Sequence, residues 1–288
     1  MKKLCVSILC LSVLLFSLVF ASSAFAEQTV ITVSTAEEFV NAIGSNTTII
    51  LAEGEYNLSE IARGPLSSKD KYWNRVHDGQ ELIIENVTNL TIQGASPDCR
   101  IVVEPRYANV LKFMHCDNIK IENITAGHTP EEGTCSGGVF YFSDCSDIQI
   151  SNSHMFGCGA FGLSLFDVKG VNVENSSIYE CTTGIMRIGD SENITFTNCI
   201  FRDTEFSFDA VSISNTTNLT FDHCQFNNNR ARFPDSYPYT AMFYADRSSE
   251  LVAKNTSFID NHAEFFDWAG LISFENNTYA GNSFDESN

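Results

Sequence analysis

The segment FYFSDCSDIQISNSHMF (residues 140–156) is followed at a spacing of 23 residues by LSLFDVKGVNVENSSIY (163–179) and again by MRIGDSENITFTNCIFR (186–202). Apolar residues occupy matching positions in all three segments: two at the start, two in the middle and one near the end. Within each pair, one residue separates the two apolar residues, which is the period of a β-strand. Each repeat therefore predicts three short strands.

The same pattern extends along most of the chain. The second apolar residue of the middle strand recurs at positions 92, 121, 150, 173, 196, 221 and 253, at spacings of 23 to 32 residues. This period is that of one solenoid coil, whose apolar face is buried only when coils stack. A leucine-rich repeat would contain a helix, and a propeller blade would need four strands in about 40 residues. The spacing therefore favours a parallel β-helix.

A column of asparagines follows the middle strand two residues after the register position. Amides stacked at a sharp turn hydrogen-bond to the coils above and below, which explains the column. Coincidental glycosylation acceptors are the alternative interpretation. The column consists of Asn123, Asn152, Asn175, Asn198 and Asn255, with His223 at the equivalent position of one coil.

The chain resembles the right-handed parallel β-helix proteins of the pectate-lyase-like superfamily over roughly residues 30–280. The opening VSTAEEFVNAIGSNTTIILAEGEYNL (33–58) is similar to their N-terminal cap, an amphipathic helix over about residues 35–43 followed by a first strand. The stretches AGHTPEEGTCSGGVFYF (126–142) and FGCGAFGL (156–163) resemble secreted bacterial members. The resemblance implies an all-β, single-stranded right-handed solenoid of about 7–8 coils with an N-terminal helical cap. The superfamily contains lyases, hydrolases, epimerases and non-catalytic binders, so its fold alone assigns no activity.

The N-terminus predicts an export signal over residues 1–26. Two lysines precede an apolar run, and Ala24-Phe25-Ala26 has the small-x-small form of a cleavage site. The alternative is an uncleaved membrane anchor, since the run approaches spanning length. The short Lys-Lys start is typical of bacterial exported proteins, so the expected location is secreted, periplasmic or extracellular. The remaining chain divides into a cap with the first coil (27–79) and the β-helix (80–288).

The charge of the chain excludes some partners. Acidic side chains number 36 against 17 basic ones, giving a formal net charge of -19. A chain with this charge would repel nucleic acid, and anionic membranes are disfavoured after signal cleavage for the same reason. Neither Cys-x-x-Cys nor His-rich spacing is present, so no metal or other cofactor is expected. The sequence leaves the oligomeric state open.

Cysteines occupy equivalent points on neighbouring coils. Stacked strands lie about 4.8 Å apart, within the Cα separation that a disulfide tolerates, and export favours disulfides. Buried thiols that pack as small apolar residues are the other interpretation, and both remain open at this level. The pairs are Cys116 with Cys145, Cys158 with Cys181, and Cys199 with Cys224.

A candidate binding groove follows from the residues predicted to point outward. The first strand of each coil would present the column Tyr141, Ser164, Arg187, Ser212 and Tyr244. The two longest insertions, 127–137 and 228–239, both enter just before this strand and would form two walls. Aromatic rings stack on sugar rings, and arginines bind carboxylates, so a polysaccharide or oligosaccharide is the expected partner. The predicted substrate-binding residues are Tyr141, Tyr244, His128, Arg230 and Arg232.

Two reactions fit this groove. Resemblance to β-helix lyases implies that Arg187 abstracts a proton next to a uronate carboxylate. A hydrolase needs two carboxylates across the glycosidic bond, for which Asp203 and Asp209 are the candidates. The simpler interpretation makes Arg187 a surface residue paired with Glu180 or Asp209.

The sequence thus predicts a secreted β-helix protein that binds a polysaccharide and is a candidate lyase or hydrolase. A non-catalytic cell-surface or matrix protein, with the solenoid as a binding or spacer element, is the alternative. Residues 72–79 (YWNRVHDG) form a further groove wall or a cover for the first coil.

Overall fold

A computed structural model describes residues 28–62, 66, 68–96, 98–130, 136–157, 159–231, 240–268 and 272–284. The predicted export signal, Cys158, Arg232 and the centres of both insertions lie outside these ranges. None of the helices in the described ranges is long and apolar enough to cross a membrane.

The described chain winds into a parallel solenoid of about seven turns, which confirms the predicted architecture. Each complete coil contributes three strands, called here strands a, b and c in chain order, whereas the N-terminal turns lack strand a. Neighbouring coils pair in parallel and in register, so that Phe140 lies opposite Leu163 and Ile150 lies opposite Val173. The repeat spacing read from the sequence is therefore the spacing of the coils.

The strands have the following bounds. Strand a is Gly79–Glu85, Leu111–Met114, Gly184–Gly189, Asp209–Ser214, Ala241–Ala245 and Phe265–Asp267. Strand b is Thr29–Val33, Thr47–Leu51, Thr88–Gly94, Asp117–Glu122, Glu192–Thr197, Thr217–Asp222, Leu251–Lys254 and Ser273–Glu275. In two coils strands a and b are continuous, as Phe140–Ser151 and Phe161–Glu174. Strand c is Gly54–Asn57, Cys99–Val103, Thr125–His128, His154–Phe156, Ser177–Tyr179, Ile200–Arg202, Gln225–Asn227, Ser257–Ile259 and Thr278–Ala280. The short strands Glu205–Phe206 and Arg230–Ala231 pair with each other between strands c and a.

The core is filled by the predicted inward columns. The apolar residues of strands a, b and c that define the repeat are all buried. Towards the C-terminus aromatic rings fill the interior, with Phe226 between Phe201 and Phe258 at centroid distances of 4.7 and 5.2 Å. The core therefore stabilises the solenoid by contacts between successive coils.

The coils turn at corners where single residues adopt the left-handed conformation, with φ between 44° and 60°. Asparagine and aspartate tolerate this conformation better than other side-chain-bearing residues. The predicted asparagine column is the corner between strands b and c, and Asn198 Nδ2 donates to Asn175 Oδ1 at 3.4 Å. Three further corners share this conformation. They contain Asn86, His115, Asp144, Asp167, Asp190 and Asn215; Asn46, Asn89, Asn118, Asp147, Asn193 and Asn218; and Glu180, Asp203, Asn228 and Asp260.

The N-terminal end of the solenoid is covered. The predicted amphipathic helix is Ala36–Ala42. It begins after Thr35, whose Oγ1 accepts a hydrogen bond from the Glu38 amide, and its apolar face buries Phe39 and Val40. Strand Lys71–Val76 pairs antiparallel with the first strand a, and Trp73 packs against the core. Residues 72–79 are therefore a cover for the first coil, which prevents its edge from pairing with another chain.

The six cysteines in the described ranges are buried free thiols. Five of them directly follow a corner residue, and their thiols donate to nearby backbone carbonyls, as Cys199 Sγ does to Thr197 O at 3.4 Å. A hydrogen bond with Cys116 and burial raise the pKa of the Cys145 thiol. At these six positions the structure thus has buried thiols stacked in columns instead of disulfides. In the column of Cys199, the two preceding coils have Ser153 and Ser176 at the equivalent position.

Candidate functional site

Arg187 lies on the outer surface of strand a, between Ser164 and Ser212 of the neighbouring coils. The residues that share this surface, namely Lys112, Tyr141, Ser164, Phe166, Arg187, Ser212 and Tyr244, are called here the Arg187 face. The guanidinium Cζ is 5.6 Å from the centroid of the Phe166 ring. Over the part of the chain that the structure describes, Arg187 forms no ion pair, so the expected pairing with Glu180 or Asp209 is not found there.

Two aromatic rings lie between two cations on the Arg187 face. Lys112 Nζ is 5.0 Å from the Tyr141 ring centroid, and the Tyr141 and Phe166 centroids are 5.6 Å apart. Since Arg187 lies over Phe166, the four side chains form a row in the order Lys112, Tyr141, Phe166, Arg187, with a cation at each end. Burial raises the pKa of Tyr141, which keeps its hydroxyl protonated as a hydrogen-bond donor.

The two cations of this run differ in their electrostatic partners. Lys112 Nζ lies 3.4 Å from Oε1 of Glu81, which is 4% exposed and also accepts from Asn74 Nδ2 and Asn109 Nδ2 at 3.0 and 2.9 Å. Burial favours the neutral form of Glu81, but these hydrogen bonds and the Lys112 charge prevail and lower its pKa. Lys112 therefore has a permanent counter-charge, whereas Arg187 is available to an external anion.

Asp209 begins a strand a one coil after Arg187. The register places it beside Gly184 of the preceding coil and opposite Ala241 of the following coil. Burial raises its pKa to about 7, and within the described ranges its carboxyl has no hydrogen-bonding or ionic partner. A carboxyl with such a pKa can donate or accept a proton near neutral pH, as general acids and bases do.

Arg187 and Asp209 are well separated along the strands. Arg187 is in register with Ser212, three residues after Asp209, so their Cα atoms are about 11 Å apart. The guanidinium also leans over Phe166, which is in register with Gly189 and so lies further along the strand from Asp209. A ligand that touches both groups must therefore be extended.

Asp203 is not brought against Asp209. It is a corner residue with φ 53°, forms an ion pair with Arg202, and accepts from Asn228 Nδ2 at 2.8 Å. Partial burial opposes ionisation of Asp203, but these hydrogen bonds and the Arg202 charge prevail and lower its pKa. Strand Glu205–Phe206 separates it from Asp209 along the chain. Its observed role is to stabilise a corner.

The predicted wall residues differ in position. His128 ends a strand c instead of lying in the loop; it is 4% exposed and its Nε2 is 2.8 Å from Ala108 O. Burial lowers its pKa. Arg230 is exposed on the short strand Arg230–Ala231, and its Nε donates to Asn228 Oδ1 at 3.2 Å. His128 and Arg230 are therefore outside the Arg187 face, whereas Tyr141 and Tyr244 belong to it, and Arg232 lies outside the described residues.

Sequence reasoning missed Lys112, Phe166 and Phe208. Lys112 occupies the outward position one coil before Tyr141, and the same register would have identified it. Phe166 is the next outward residue after Ser164 on the same strand. Phe208 directly precedes Asp209 and is 51% exposed; no repeat marks it, because it belongs to the turn before the strand. Among the described residues no group of three potential ligands could hold a metal ion.

Comparison with known proteins identifies the architecture. A family model described as "Right handed beta helix region" matches residues 84–261. No curated protein matches the sequence. A pectate lyase from a Paenibacillus species is similar in structure, with a TM-score of 0.61, 10% identity, and coverage of 88% of this chain and 78% of that chain. A Bacillus pectate lyase in complex with trigalacturonate has a TM-score of 0.58, 13% identity, and coverage of 90% and 82%.

A pectate lyase variant from Xanthomonas campestris also has a TM-score of 0.58, with 14% identity and coverage of 91% of this chain and 81% of that chain. At these identities the likeness concerns the fold, and it confirms the resemblance read from the sequence.

Proposed function

The chain belongs to the right-handed β-helix family, and from that premise we propose that it is a secreted protein that binds an acidic polysaccharide on the Arg187 face and cleaves it by proton transfer through Asp209. The observation that carries this proposal is Arg187 itself. It is an exposed cation without a carboxylate partner among the described residues of a chain whose net charge is -19. In so acidic a protein, an uncompensated guanidinium next to Phe166 and Tyr141 is suited to an anionic ligand with a ring structure.

Binding and proton transfer are assigned to different residues. A guanidinium keeps its proton in proteins, so Arg187 binds a uronate carboxylate through paired N–H donors. Asp209, with its pKa raised to about 7 by burial, transfers the proton: its acid form donates to the glycosidic oxygen, or its carboxylate accepts from a ring carbon. In the first direction the glycosidic C–O bond breaks and water adds to the anomeric carbon, which is hydrolysis. In the second the C5–H and C4–O bonds of the uronate break, a C4–C5 double bond forms and the leaving oxygen takes a proton from water, which is elimination.

The test uses purified mature protein with a panel of polyuronates and neutral glycans. Ultraviolet absorbance follows the unsaturated products of elimination, and reducing ends follow hydrolysis. We expect Arg187→Ala to weaken binding of the acidic polymer about tenfold, the loss of a charge-assisted hydrogen bond. We expect Asp209→Asn to retain binding and lower turnover at least a hundredfold, the typical contribution of a general acid or base.

Lys169→Ala is the matched control. Lys169 is an exposed cation on strand b whose Nζ lies 3.3 Å from Glu192 Oε1, so this variant changes the net charge equally without altering the Arg187 face. The proposal is wrong if no acidic polymer binds, or if Arg187→Ala and Lys169→Ala behave alike.

A non-catalytic binder is the second candidate, and one observation favours it. Asp203, the predicted second carboxylate of a hydrolase, is engaged in a corner by Arg202 and Asn228. This candidate predicts that the acidic polymer binds and depends on Arg187, while absorbance and reducing ends both stay constant.

A further inference from the structure

We propose that the outer surface of strand b carries a second binding site, which takes an uncharged sugar chain. The site is an open groove of about 850 Å³, called here the strand b groove, that extends from the coil of Asn89 to the coil of Asn193. The Arg187 face belongs to strand a, so this inference goes beyond the proposed function and does not rest on it. Strand b and both of its corners are fully described in these coils, over residues 86–96, 115–125, 144–154, 167–177 and 190–200.

The strand b groove coincides with a break in the side-chain ladder at the corner between strands a and b. Before the break each asparagine amide donates to the preceding coil, as Asn118 Nδ2 does to Asn89 Oδ1 at 2.8 Å. The next two coils have Asp147 and Gly170 at this position. An ionised carboxylate has no hydrogen to donate and glycine has no side chain, so the ladder stops there and resumes only at Asn193.

The break leaves both donors and acceptors open at the edge of the groove. Among the described residues, Asn193 Nδ2 has no acceptor, and neither Asn118 Oδ1 nor the Asp147 carboxylate has a donor. Gly170, with φ 76°, forms a notch between them, where a Cβ would lie 3.2 Å from Asp147 Oδ1. Sugar hydroxyls donate as well as accept, so they can satisfy both kinds of group, whereas an anion or a cation satisfies only one.

Uncharged polar side chains form the floor of the groove. Gln149, Asn172 and Thr195 are in register on three successive coils, at positions of strand b that alternate with the buried apolar residues. They offer amide and hydroxyl groups at a spacing of about 4.8 Å. From Asn89 to Asn193 the groove covers four such steps, or about 19 Å. This length suits an oligosaccharide better than a single sugar.

The charge of the lining disfavours an acidic ligand. The described residues that line the groove include Asp117, Asp147 and Glu174 but no lysine or arginine. Asp117 accepts from the Ser146 hydroxyl, and Glu174 Oε1 accepts from Asn172 Nδ2 at 2.6 Å, so these carboxylates are held among neutral groups. A uronate in the groove would be repelled by these like charges, whereas carboxylates accept hydrogen bonds from the hydroxyls of an uncharged sugar.

The experiment measures binding by calorimetry, with cellohexaose, mannohexaose and xylohexaose as neutral probes and hexagalacturonate as the acidic probe. We expect a neutral probe to bind, and Gly170→Asn to weaken that binding at least about tenfold, because the new side chain fills the notch and accepts from Asn193. Gly170→Asn should melt at the same temperature as native protein or higher. Asparagine adopts the left-handed conformation at the neighbouring corners, and the new amide extends the ladder.

A matched pair of variants tests the floor of the groove. Thr195→Val removes one hydroxyl and keeps the β-branched shape, so we expect about three- to tenfold weaker binding of the neutral probe. Thr220 follows Thr195 in register on the next coil but is not among the residues that line the groove. Thr220→Val should therefore bind as native protein does.

The inference is overturned if no neutral probe binds, if Gly170→Asn binds as tightly as native protein, or if the two threonine variants behave alike. It is also overturned if Arg187→Ala abolishes binding of the neutral probe, since the ligand would then lie on the Arg187 face. Unchanged binding of hexagalacturonate by Gly170→Asn supports two separate sites. Binding of a neutral probe without binding of hexagalacturonate would overturn the proposed function and leave this inference standing.

Discussion

At the scale of single residues, Asp203 and Asp209 show how position decides the chemistry of one residue type. Asp203 turns a corner, where an amide and a guanidinium stabilise its charge and lower its pKa despite partial burial. Asp209 begins a strand beside a glycine, and burial without compensation raises its pKa to about 7. The sequence offered both residues as equal candidates, because only the fold distinguishes their surroundings.

This difference predicts opposite effects of pH on folding stability. The folded pKa of Asp209 exceeds its unfolded value, so its protonated form stabilises the fold at low pH, and that contribution is lost between about pH 4 and pH 7. We expect Asp209→Asn to remove this loss. Between pH 4 and pH 8 this variant should gain about 1–2 kcal/mol of stability relative to native protein, since solvent partly screens the carboxyl. Urea unfolding at a series of pH values measures it.

Asp203→Asn is the control with the reverse sign. Its lowered pKa means that the carboxylate stabilises the fold at neutral pH, a contribution lost only as the pH falls below the ordinary value of an aspartate. Asp203→Asn should thus be less stable than native protein at pH 7, with the difference shrinking in acid. Parallel pH profiles for native protein and Asp209→Asn would contradict the assignment of Asp209.

At the scale of elements, the corners explain what the sequence revealed and what it concealed. The corner between strands b and c is nearly all asparagine, so its repetition is visible in the sequence. The other three corners alternate between asparagine, aspartate, glutamate and histidine, and occasionally glycine. Residue type varies at these corners because the left-handed conformation is the common requirement. The backbone angle φ therefore repeats from coil to coil, whereas the amino acid does not.

The corner ladder can be tested at Asn198. Asn198→Ala removes the amide bonded to Asn175 and places alanine, which tolerates the left-handed conformation less well than asparagine, at φ 53°, so we expect a loss of about 1–2 kcal/mol in the free energy of unfolding. Asn198→Gly removes the same amide but accepts the conformation, so it should lose less. Urea denaturation of both variants separates the two contributions, and equal losses would exclude conformational strain as a factor.

The strands were more predictable than the site. Period-two apolar pairs predicted the inward columns because a solid core accepts only apolar residues there. The same pattern predicted that Tyr141 and Arg187 share a face. The sequence placed His128 and Arg230 in loops, but the structure places them on strands. The strands extend further into the two insertions than the composition of these insertions indicated.

At the scale of the whole molecule, stability comes from stacking of coils, without cross-links among the described cysteines. Thiol titration of denatured, unreduced protein should therefore find at least six free thiols, those of Cys99, Cys116, Cys145, Cys181, Cys199 and Cys224. A reductant should leave the melting temperature unchanged, because none of these six described cysteines forms a disulfide, and a native bridge typically contributes several kcal/mol. Fewer than six thiols together with a melting temperature lowered by reductant would contradict this arrangement.

The in-register stacking also gives the Arg187 face a fixed unit of length. The coils that follow the two insertions carry Phe140 and Phe243, and they are four rungs apart, through Leu163, Met186 and Val211, or about 19 Å. Because each coil closes its own corners, gaining or losing one coil would change that length by a step of about 4.8 Å without disturbing the others. The number of coils therefore sets the length of the Arg187 face. Duplication or loss of a single coil offers descendants of this chain a simple evolutionary route to longer or shorter ligands.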